Sequence, residues 1–322
     1  VVVALGASVL LVLGFVDDRR GMGPAPKLAV ELLIAGGVVL AGLRFAPMLP
    51  DVLSLPLTLL WIIGVTNALN LLDNMDGLAG GTGAVIAGAC AVLAVLAGLP
   101  QLAVLSGALA GACLGYLPFN YRRARVFMGD AGSLPLGFLV SVLALAVGDA
   151  LAPSLPVAAA VLLPVLLCAL PIVDTTLVTV SRIRTGRRVS QGGRDHSSHR
   201  LVYVGLGETQ SVALLHVGVT IACAMGVGAS LGGALATPLV LGGLSLAAVA
   251  WWMLLRIDPY ASKEATVAPV ALAPAVPLHD LRVAPQPARR MAAAHAGADV
   301  RDSGLVVTGE TAAAMRSLRH AN

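Results

Sequence analysis

The chain contains 322 residues, of which 57% are hydrophobic and 12% are charged, and its formal net charge at pH 7 is +4. So small a charged fraction excludes an ordinary soluble globular protein. Apolar runs of about twenty residues recur along most of the chain, and each is long enough to cross a bilayer as a helix. Because a backbone in hydrocarbon must satisfy its own hydrogen bonds, these runs predict an all-α fold, a polytopic transmembrane helical bundle.

The apolar runs predict nine membrane spans, at residues 1–16, 28–45, 52–69, 79–99, 101–118, 134–149, 155–181, 210–230 and 233–256. The seventh contains Pro164 and Pro171, so we expect a kink or a break within it. Together the spans form a predicted membrane domain, residues 1–256. Residues 257–322 are rich in Ala and Pro with scattered charge, which predicts a disordered cytoplasmic tail with at most a short helix near 308–319.

Basic residues mark one side of the predicted bundle. The loops after the first, third, fifth and seventh spans contain Arg19, Arg20, Lys27, Arg122, Arg123, Arg125, Arg182, Arg184, Arg187, Arg188, Arg194 and Arg200. The opposite loops contain only Arg44. The positive-inside rule therefore places the first set in the cytoplasm, and we expect a multi-pass protein of the plasma membrane.

Two adjacent carboxylates, Asp17 and Asp18, end the first predicted span. A solvated helix end beside two arginines is one interpretation. A helix C-terminus favours cations, however, so these carboxylates need a compensating charge, which a metal ion, a phosphate-bound cation or the arginines could supply. Lys27, at the start of the next span, is either a snorkelling anchor or a phosphate contact.

An unusually polar membrane edge lies between the third and fourth spans. Asp73 and Asp76 would share one face of a helical turn, with Asn70 and Asn74 beside them. An ionised group at the rim of a span is costly unless it is solvated or paired. An ordinary loop explains the asparagines but not two carboxylates without a basic neighbour, so this edge predicts a functional site.

The segment between the fifth and sixth spans combines Asn120, Phe127 and Asp130 with a glycine-rich run. Ser133 followed by Pro135 predicts a helix start with Ser133 as the N-cap. The positive end of that helix would face Asp130, and such glycine-rich helix starts favour phosphate groups. Asp130 could bring a divalent cation to the phosphate, because hard cations select carboxylate and phosphate oxygens.

The last polar loop contains Arg194, Asp195, His196, His199 and Arg200. The two histidines could bind zinc, but only one carboxylate and no cysteine lies nearby. Histidines flanked by arginines are better suited to contact phosphate or to transfer protons, and a simple basic loop is the alternative. Asp174, inside the seventh span, is either a structural partner for Thr or Arg side chains or a functional group.

Four motifs collect these residues on one membrane face, which predicts a cytoplasmic site for a polyanion and a divalent metal. They are Asp17-Asp18, Asn70-Leu-Leu-Asp73-Asn-Met-Asp76-Gly-Leu, Phe127-Met-Gly-Asp130-Ala-Gly-Ser-Leu and Arg194-Asp-His196-Ser-Ser-His199-Arg200. In order and spacing they resemble the polyprenyl-phosphate N-acetylhexosamine-1-phosphate transferases, and the last motif is most similar to the GlcNAc-1-phosphate branch. The resemblance runs from residue 1 to about residue 256.

The resemblance implies transfer of GlcNAc-1-phosphate from UDP-GlcNAc to polyprenyl phosphate, with release of UMP, as the first step of a cell-envelope polymer. Asp130 would bind Mg²⁺, with Mn²⁺ as an alternative, and Asp17 would deprotonate or position the lipid phosphate with Asp18 beside it. The remaining implied residues are Lys27, Asn70, Asp73 and Asp76 at the substrates, Asn120 and Phe127 at the uridine, and His196, His199, Arg194 and Arg200 at the diphosphate or the sugar. The two histidines are also candidates for catalysis.

The implied partners are a UDP-sugar donor, a polyprenyl phosphate acceptor and the lipid bilayer, with no nucleic acid and with a homodimer as one form of assembly. Members of the family begin with two further spans, so we expect that this chain lacks its natural N-terminus. The phospho-MurNAc-pentapeptide transferase of peptidoglycan synthesis is the nearest alternative. Two alternatives from other classes are a cation-coupled transporter and a catalytically silent scaffold. A transporter would place its carboxylates near the membrane midplane, and a scaffold would have degenerate acidic motifs.

Overall fold

A computed structural model describes residues 1–260 of the chain, so the predicted tail lies almost entirely outside the described residues. The described part is all-α, as predicted, and contains no β-strand. Its helices are α1 (Val2–Arg20), α2 (Pro24–Leu40), α3 (Asp51–Leu72), α4 (Leu78–Leu96), α5 (Pro100–Asn120), α6 (Gly129–Leu151), α7 (Val157–Leu167), α8 (Ala169–Arg184), α9 (Ser197–Tyr203), α10 (Glu208–Ser230) and α11 (Ala236–Leu255).

Six of these helices are long and apolar enough to cross a membrane, namely α3, α4, α5, α6, α10 and α11. The pair α7 and α8 forms a seventh span that is bent by 72°. Helices α1 and α2 correspond to the first two predicted spans but are not among these six. Helix α1 ends in four charged residues, and α2 has only 17 residues. The chain is therefore a multi-pass helical membrane protein.

The bend between α7 and α8 confirms the expected break in the seventh predicted span. Cys168 separates the two helices, three residues before Pro171. Proline has no N–H to donate to the carbonyl four residues earlier, and its ring clashes with that group. For Pro171 this carbonyl belongs to Leu167, the last residue of α7, so the helix ends there.

Helix α6 lies at the centre of the bundle, since 72% of its most apolar stretch is buried, against 17% for α5 and α11. It packs against α1, α3, α4 and α7. Small residues permit close approach: a Cβ on Gly137 of α6 would lie 2.6 Å from the carbonyl oxygen of Thr66 in α3. This packing brings the C-terminal ends of α1 and α3 to the N-terminal end of α6.

Candidate active site

Lys27 joins the first and third predicted motifs. Its Nζ donates to Asp17 Oδ2 at 2.7 Å and to Asp130 Oδ2 at 2.9 Å. Asn70 Nδ2 lies on the other side of Asp130, 2.9 Å from Oδ1, and is also 2.7 Å from Ser133 Oγ. Residues from α1, α2, α3 and α6 therefore meet in one polar cluster, the Lys27 cluster, at one end of the bundle.

Asp18 has a different position from its neighbour. Its carboxylate accepts hydrogen bonds from the backbone N–H groups of Asp130 at 2.9 Å and Ala131 at 3.0 Å. Gly129 precedes them at φ +59°, and a Cβ there would lie 2.6 Å from Asp18 Oδ2. Asp18 therefore satisfies the free amides at the start of α6, and only glycine fits beneath it.

The prediction that Ser133 caps this helix is wrong. Helix α6 begins at Gly129, so Ser133 lies one turn inside it, and its hydroxyl donates to the Gly129 carbonyl oxygen at 2.8 Å. A local sequence pattern favours a local cap, whereas the cap comes from Asp18, 112 residues earlier in the chain. Asp130 nevertheless lies at the N-terminal end of a helix, as expected, because it is in the first turn of α6.

The donor chemistry of the Lys27 cluster suits a hard divalent cation. Asp17 and Asp130 already share one positive group, the Lys27 ammonium, and each carboxylate keeps further lone pairs. Within residues 1–260 no group of three or more His, Cys, Asp or Glu encloses a metal position. Mg²⁺ is usually bound through one or two carboxylates together with phosphate oxygens and water, and Asp17 and Asp130 bring two carboxylates to one position.

Asp73 and Asp76 follow α3 at the same end of the bundle. Burial, together with the nearby carboxylates of Asp130, Asp76 and Asp18, raises the pKa of Asp73 to about 6. Asp76 Oδ2 accepts the backbone N–H of Ala124 at 2.8 Å, which ties the loop after α5 to the loop after α3. Asp73 thus lies close to the carboxylates of Asp130, Asp76 and Asp18. Asp76 in addition holds two loops together through its bond to Ala124.

Asn120 is buried, whereas Phe127 is exposed to solvent. The Asn120 side chain is buried: Oδ1 accepts the N–H of Gly77 at 2.9 Å, and Nδ2 donates to the carbonyl oxygen of Val126 at 2.9 Å. Its amide therefore holds the loop that carries Phe127, and the loop leaves Phe127 75% exposed. The aromatic ring is free to stack on a base, whereas the Asn120 amide is already engaged.

A cleft of about 660 Å³ opens beside Asp76. Its lining residues are Met75, Asp76, Tyr121, Arg122, Arg123, Gly207, Glu208, Thr209 and Gln210. Arg122 and Arg123 have φ of +53° and +71°, a conformation that residues with a Cβ rarely adopt. The volume lies within the range of small-molecule sites, and the lining combines two exposed guanidinium groups with the carboxylates of Asp76 and Glu208.

The histidine motif is anchored on Asp174, which is fully buried. Asp174 Oδ2 lies 2.7 Å from His196 Nδ1, and Oδ1 accepts the N–H and the hydroxyl of Ser197 at 2.7 and 2.6 Å. The sequence interpretation considered Thr or Arg as structural partners of Asp174 and missed this pairing. The available signal was that a buried carboxylate requires donors, and the histidine motif follows 22 residues later.

A second buried ion pair holds the loop before this motif. Arg182 Nε and Nη2 each lie 2.8 Å from one carboxylate oxygen of Asp195, and Tyr260 donates its hydroxyl to Asp195 Oδ2 at 2.7 Å. Burial alone would raise the pKa of Asp195, but the hydrogen bonds from Arg182 and Tyr260 lower it to about 2. Arg182, predicted only as a positive-inside residue, is therefore a structural partner of the loop.

Arg200, expected at the diphosphate or the sugar, lies instead in the protein interior. It is fully buried, and its Nε donates to the carbonyl oxygen of Asp195 at 2.9 Å. Its Nη1 donates to the carbonyl oxygens of Leu254, at 3.1 Å, and Ile257. These contacts join α9 to the end of α11, while Nη2 of Arg200 is buried without a hydrogen-bond partner among the described residues. Arg194, by contrast, is exposed.

His199 completes the motif. Burial, and then the positive charge of Arg194, lower its pKa to about 4. The neighbouring Ser198 hydroxyl donates to Asn74 Oδ1 at 2.6 Å, in the loop after α3. This bond brings the histidine motif against the segment that contains Asp73 and Asp76, so all four predicted motifs meet at one end of the bundle.

The model of the family described as glycosyl transferase family 4 matches residues 1–148, which contain three of the four motifs. A probable undecaprenyl-phosphate N-acetylglucosaminyl 1-phosphate transferase of Bacillus subtilis is 34% identical over 224 residues, covering 67% of this chain and 62% of the relative. These matches place residues 1–148 of the chain in glycosyl transferase family 4.

Two other relatives have the names of two different enzymes. A decaprenyl-phosphate N-acetylglucosaminephosphotransferase of Mycolicibacterium smegmatis is 31% identical over 245 residues, covering 68% of this chain and 60% of the relative. A phospho-N-acetylmuramoyl-pentapeptide-transferase of a Synechococcus strain is 37% identical over 226 residues, covering 64% of each. The chain spans about three fifths of the length of the Bacillus and Mycolicibacterium relatives.

Proposed function

We propose that this protein transfers GlcNAc-1-phosphate from UDP-GlcNAc to polyprenyl phosphate and releases UMP. The observation that carries the proposal is the Lys27 cluster, in which one ammonium group joins Asp17 of α1 to Asp130 of α6 at the end of a membrane bundle. A site there is accessible both to a lipid phosphate and to a water-soluble donor. The names of the Bacillus and Mycolicibacterium relatives support this choice.

In the overall reaction, an oxygen of the lipid phosphate forms a bond to the β-phosphorus of the UDP-sugar. The bond between that phosphorus and the bridging oxygen of UMP breaks, and the oxygen leaves with UMP. Such a reaction depends on positioning and charge neutralisation more than on covalent help from the protein. Lys27 and Asp17 would position the acceptor phosphate, while the cleft beside Asp76, lined by Arg122 and Arg123, would take the anionic donor.

Asp130, with Asp17 facing the same ammonium group, would hold a Mg²⁺ ion that binds together with the donor diphosphate. When bound, the ion would supply positive charge to the phosphate oxygens. The protein's own contribution is to hold Asp130 in place, through Asn70 on one oxygen and Lys27 on the other. The basic loops at this end support a cytoplasmic orientation in the plasma membrane.

The phospho-MurNAc-pentapeptide transferases are a second candidate, because one of them is 37% identical to the chain. The GlcNAc branch is favoured by the motif Asp195-His196-Ser-Ser-His199-Arg200. A cation-coupled transporter is disfavoured, since the carboxylates of the Lys27 cluster lie at one end of the bundle, whereas transporters bind ions near the midplane.

The proposal is tested by measuring UMP release by the full natural polypeptide in detergent, with polyprenyl phosphate and either UDP-GlcNAc or UDP-MurNAc-pentapeptide, with and without Mg²⁺. We expect release from UDP-GlcNAc that depends on Mg²⁺ and is lost in Asp130→Asn. Asp149→Asn, the same change at the opposite end of α6, is the matched control and should retain activity. Turnover of the pentapeptide donor alone would overturn the choice of branch, and Mg²⁺-dependent release by Asp130→Asn would refute the metal role.

A further inference from the structure

Asp174 and His196 form a buried pair with more hydrogen bonds than close packing alone requires. Asp174 has no exposed surface, and both of its oxygens accept hydrogen bonds from residues of one loop. His196 Nδ1 lies 2.7 Å from Oδ2, while Ser197 fills Oδ1 with its N–H and its hydroxyl. A buried carboxylate needs donors for both of its oxygens, and Ser197 supplies those of Oδ1. We therefore assign the contact at Oδ2 as a hydrogen bond donated by His196 Nδ1.

We propose that Asp174 is a positioning residue that fixes His196 with its proton on Nδ1 and presents Nε2 to the donor substrate. The two ring nitrogens of a histidine have different roles, and the hydrogen bond made by one decides what the other can do. Since Asp174 occupies Nδ1, Nε2 is the ring nitrogen left for a hydrogen-bonding group of the UDP-sugar. This inference rests on the proposed function.

The location of the pair supports a role at the donor. Ser198, two residues after His196, donates to Asn74 at 2.6 Å, within the segment that contains Asp73 and Asp76. The histidine motif therefore lies against the segment whose end lines the 660 Å³ cleft. Asp174 itself lies on α8, within the bent span and after its break at Cys168, so a membrane helix sets the ring orientation.

Asp174 also supports local structure, because it accepts the N–H of Ser197 at the first position of α9. A loss of activity on substitution would therefore not distinguish positioning from folding. The direct measurement is the protonation of the imidazole nitrogens, read by NMR of the full polypeptide labelled with ¹⁵N-histidine. The chain contains six histidines, and the His196 signal is identified as the one that disappears in His196→Gln.

At about pH 8, above the usual titration range of histidine, we expect the wild-type protein to show a proton on Nδ1 of His196. An unprotonated Nδ1 in the wild-type protein would overturn the proposal, whatever the behaviour of any variant. This reading requires no turnover. If UMP release fails with every donor while Nδ1 carries the proton, the proposed function is wrong and the tautomer assignment stands.

The second measurement is a double-mutant cycle on UMP release. Asp174→Asn should lower kcat/KM for UDP-GlcNAc by about 10- to 100-fold, the range known for outer carboxylates that orient metal-bound histidines. In a His196→Gln background the same change should have less than about twofold further effect, because Asp174 acts through the ring. Losses that multiply would overturn the proposal. Thr175→Val, which removes a neighbouring unbonded hydroxyl on α8, is the control and should match wild type.

Discussion

The carboxylate of Asp18 on α1 accepts the backbone N–H of Asp130 on α6 at 2.9 Å, so a side chain of one membrane helix caps the first turn of another. The proposed metal ligand is thereby positioned by a residue that need not touch the substrate. This relationship changes the interpretation of the adjacent carboxylates: Asp17 faces Lys27, and Asp18 faces the backbone of α6.

We expect Asp18→Ala to destabilise the protein by about 0.5–2 kcal/mol, the usual cost of losing an N-cap acceptor. The kcat for UMP release should also fall, because Asp130 loses its anchor. Thermal unfolding in detergent and steady-state kinetics measure the two effects. Asp51→Ala, in the exposed first turn of α3, is the control. Equal stability of the Asp18 and Asp51 variants would contradict the capping role.

The contact of α1 with α6 requires glycine at position 14. A Cβ on Gly14 would lie 2.2 Å from the carbonyl oxygen of Asp130, and backbone atoms cannot move aside as a flexible side chain can. Gly14→Ala should therefore cost about 1–3 kcal/mol of unfolding free energy. Gly36→Ala on α2, where a Cβ meets no atom within 4 Å, should instead be neutral or stabilising. Similar melting temperatures for the two variants would contradict this contact.

Lys27 is expected to be essential for activity. Lys27→Met removes the ammonium between Asp17 and Asp130 and leaves two carboxylates facing each other. We expect kcat/KM for UMP release to fall by about 100-fold or more, the scale seen when one charge-stabilising donor is removed. Arg20→Met, an exposed cation at the end of the same polar region, should have little effect. Activity of Lys27→Met within about twofold of wild type would remove the Lys27 cluster from the mechanism.

The Arg182–Asp195 pair should dominate the stability of the loop before the histidine motif. Arg182→Ala leaves the buried Asp195 carboxylate without its bidentate partner, which typically costs about 3–5 kcal/mol. Replacing both residues, as Arg182→Met with Asp195→Leu, should cost less because no charge remains buried. Arg184→Ala, exposed on the same helix, is the control. Chemical unfolding of the wild-type protein, Arg182→Met, Asp195→Leu and the double variant measures the coupling, and additive losses would contradict it.

His199 should make folding sensitive to mild acid. Its pKa is about 4 in the folded protein and 6.5 as the ordinary value, with burial the main cause. The unfolded chain therefore binds more protons between these values, and the stability that neutral His199 contributes is lost as the pH falls from 6.5 through 4. Asp73 acts in the opposite sense over part of this window, because its pKa is raised to about 6.

The contribution of His199 is therefore measured as a difference. The fall in melting temperature between about pH 7 and pH 5 should be smaller in His199→Gln than in the wild-type protein. Arg188→Gln, which removes an exposed cation from the loop before the motif, is the control for charge alone and should keep the wild-type pH response. An identical pH response in His199→Gln and wild type would show that His199 does not account for the effect.

Much of the architecture follows from local patterns in the chain. Apolar runs specify membrane helices because an unsatisfied backbone is too costly in hydrocarbon, and Pro171 ends α7 because proline cannot donate a hydrogen bond. The polar motifs also showed which residues must gather, since carboxylates such as Asp17 and Asp130 are costly at a membrane edge without a partner. These conclusions need no knowledge of how the helices pack.

What the sequence by itself determined is thus the helical membrane class, the broken span and the identity of the polar motifs. Only the tertiary structure decided their separate positions. Asp18 caps α6, and Asn120 and Arg200 hydrogen-bond to backbone groups of distant segments. Asp174 pairs with His196. The physical reason is that each of these side chains bonds to groups far along the chain. Which distant donor or acceptor satisfies a buried polar group depends on the packing of helices, and local sequence patterns do not contain that information.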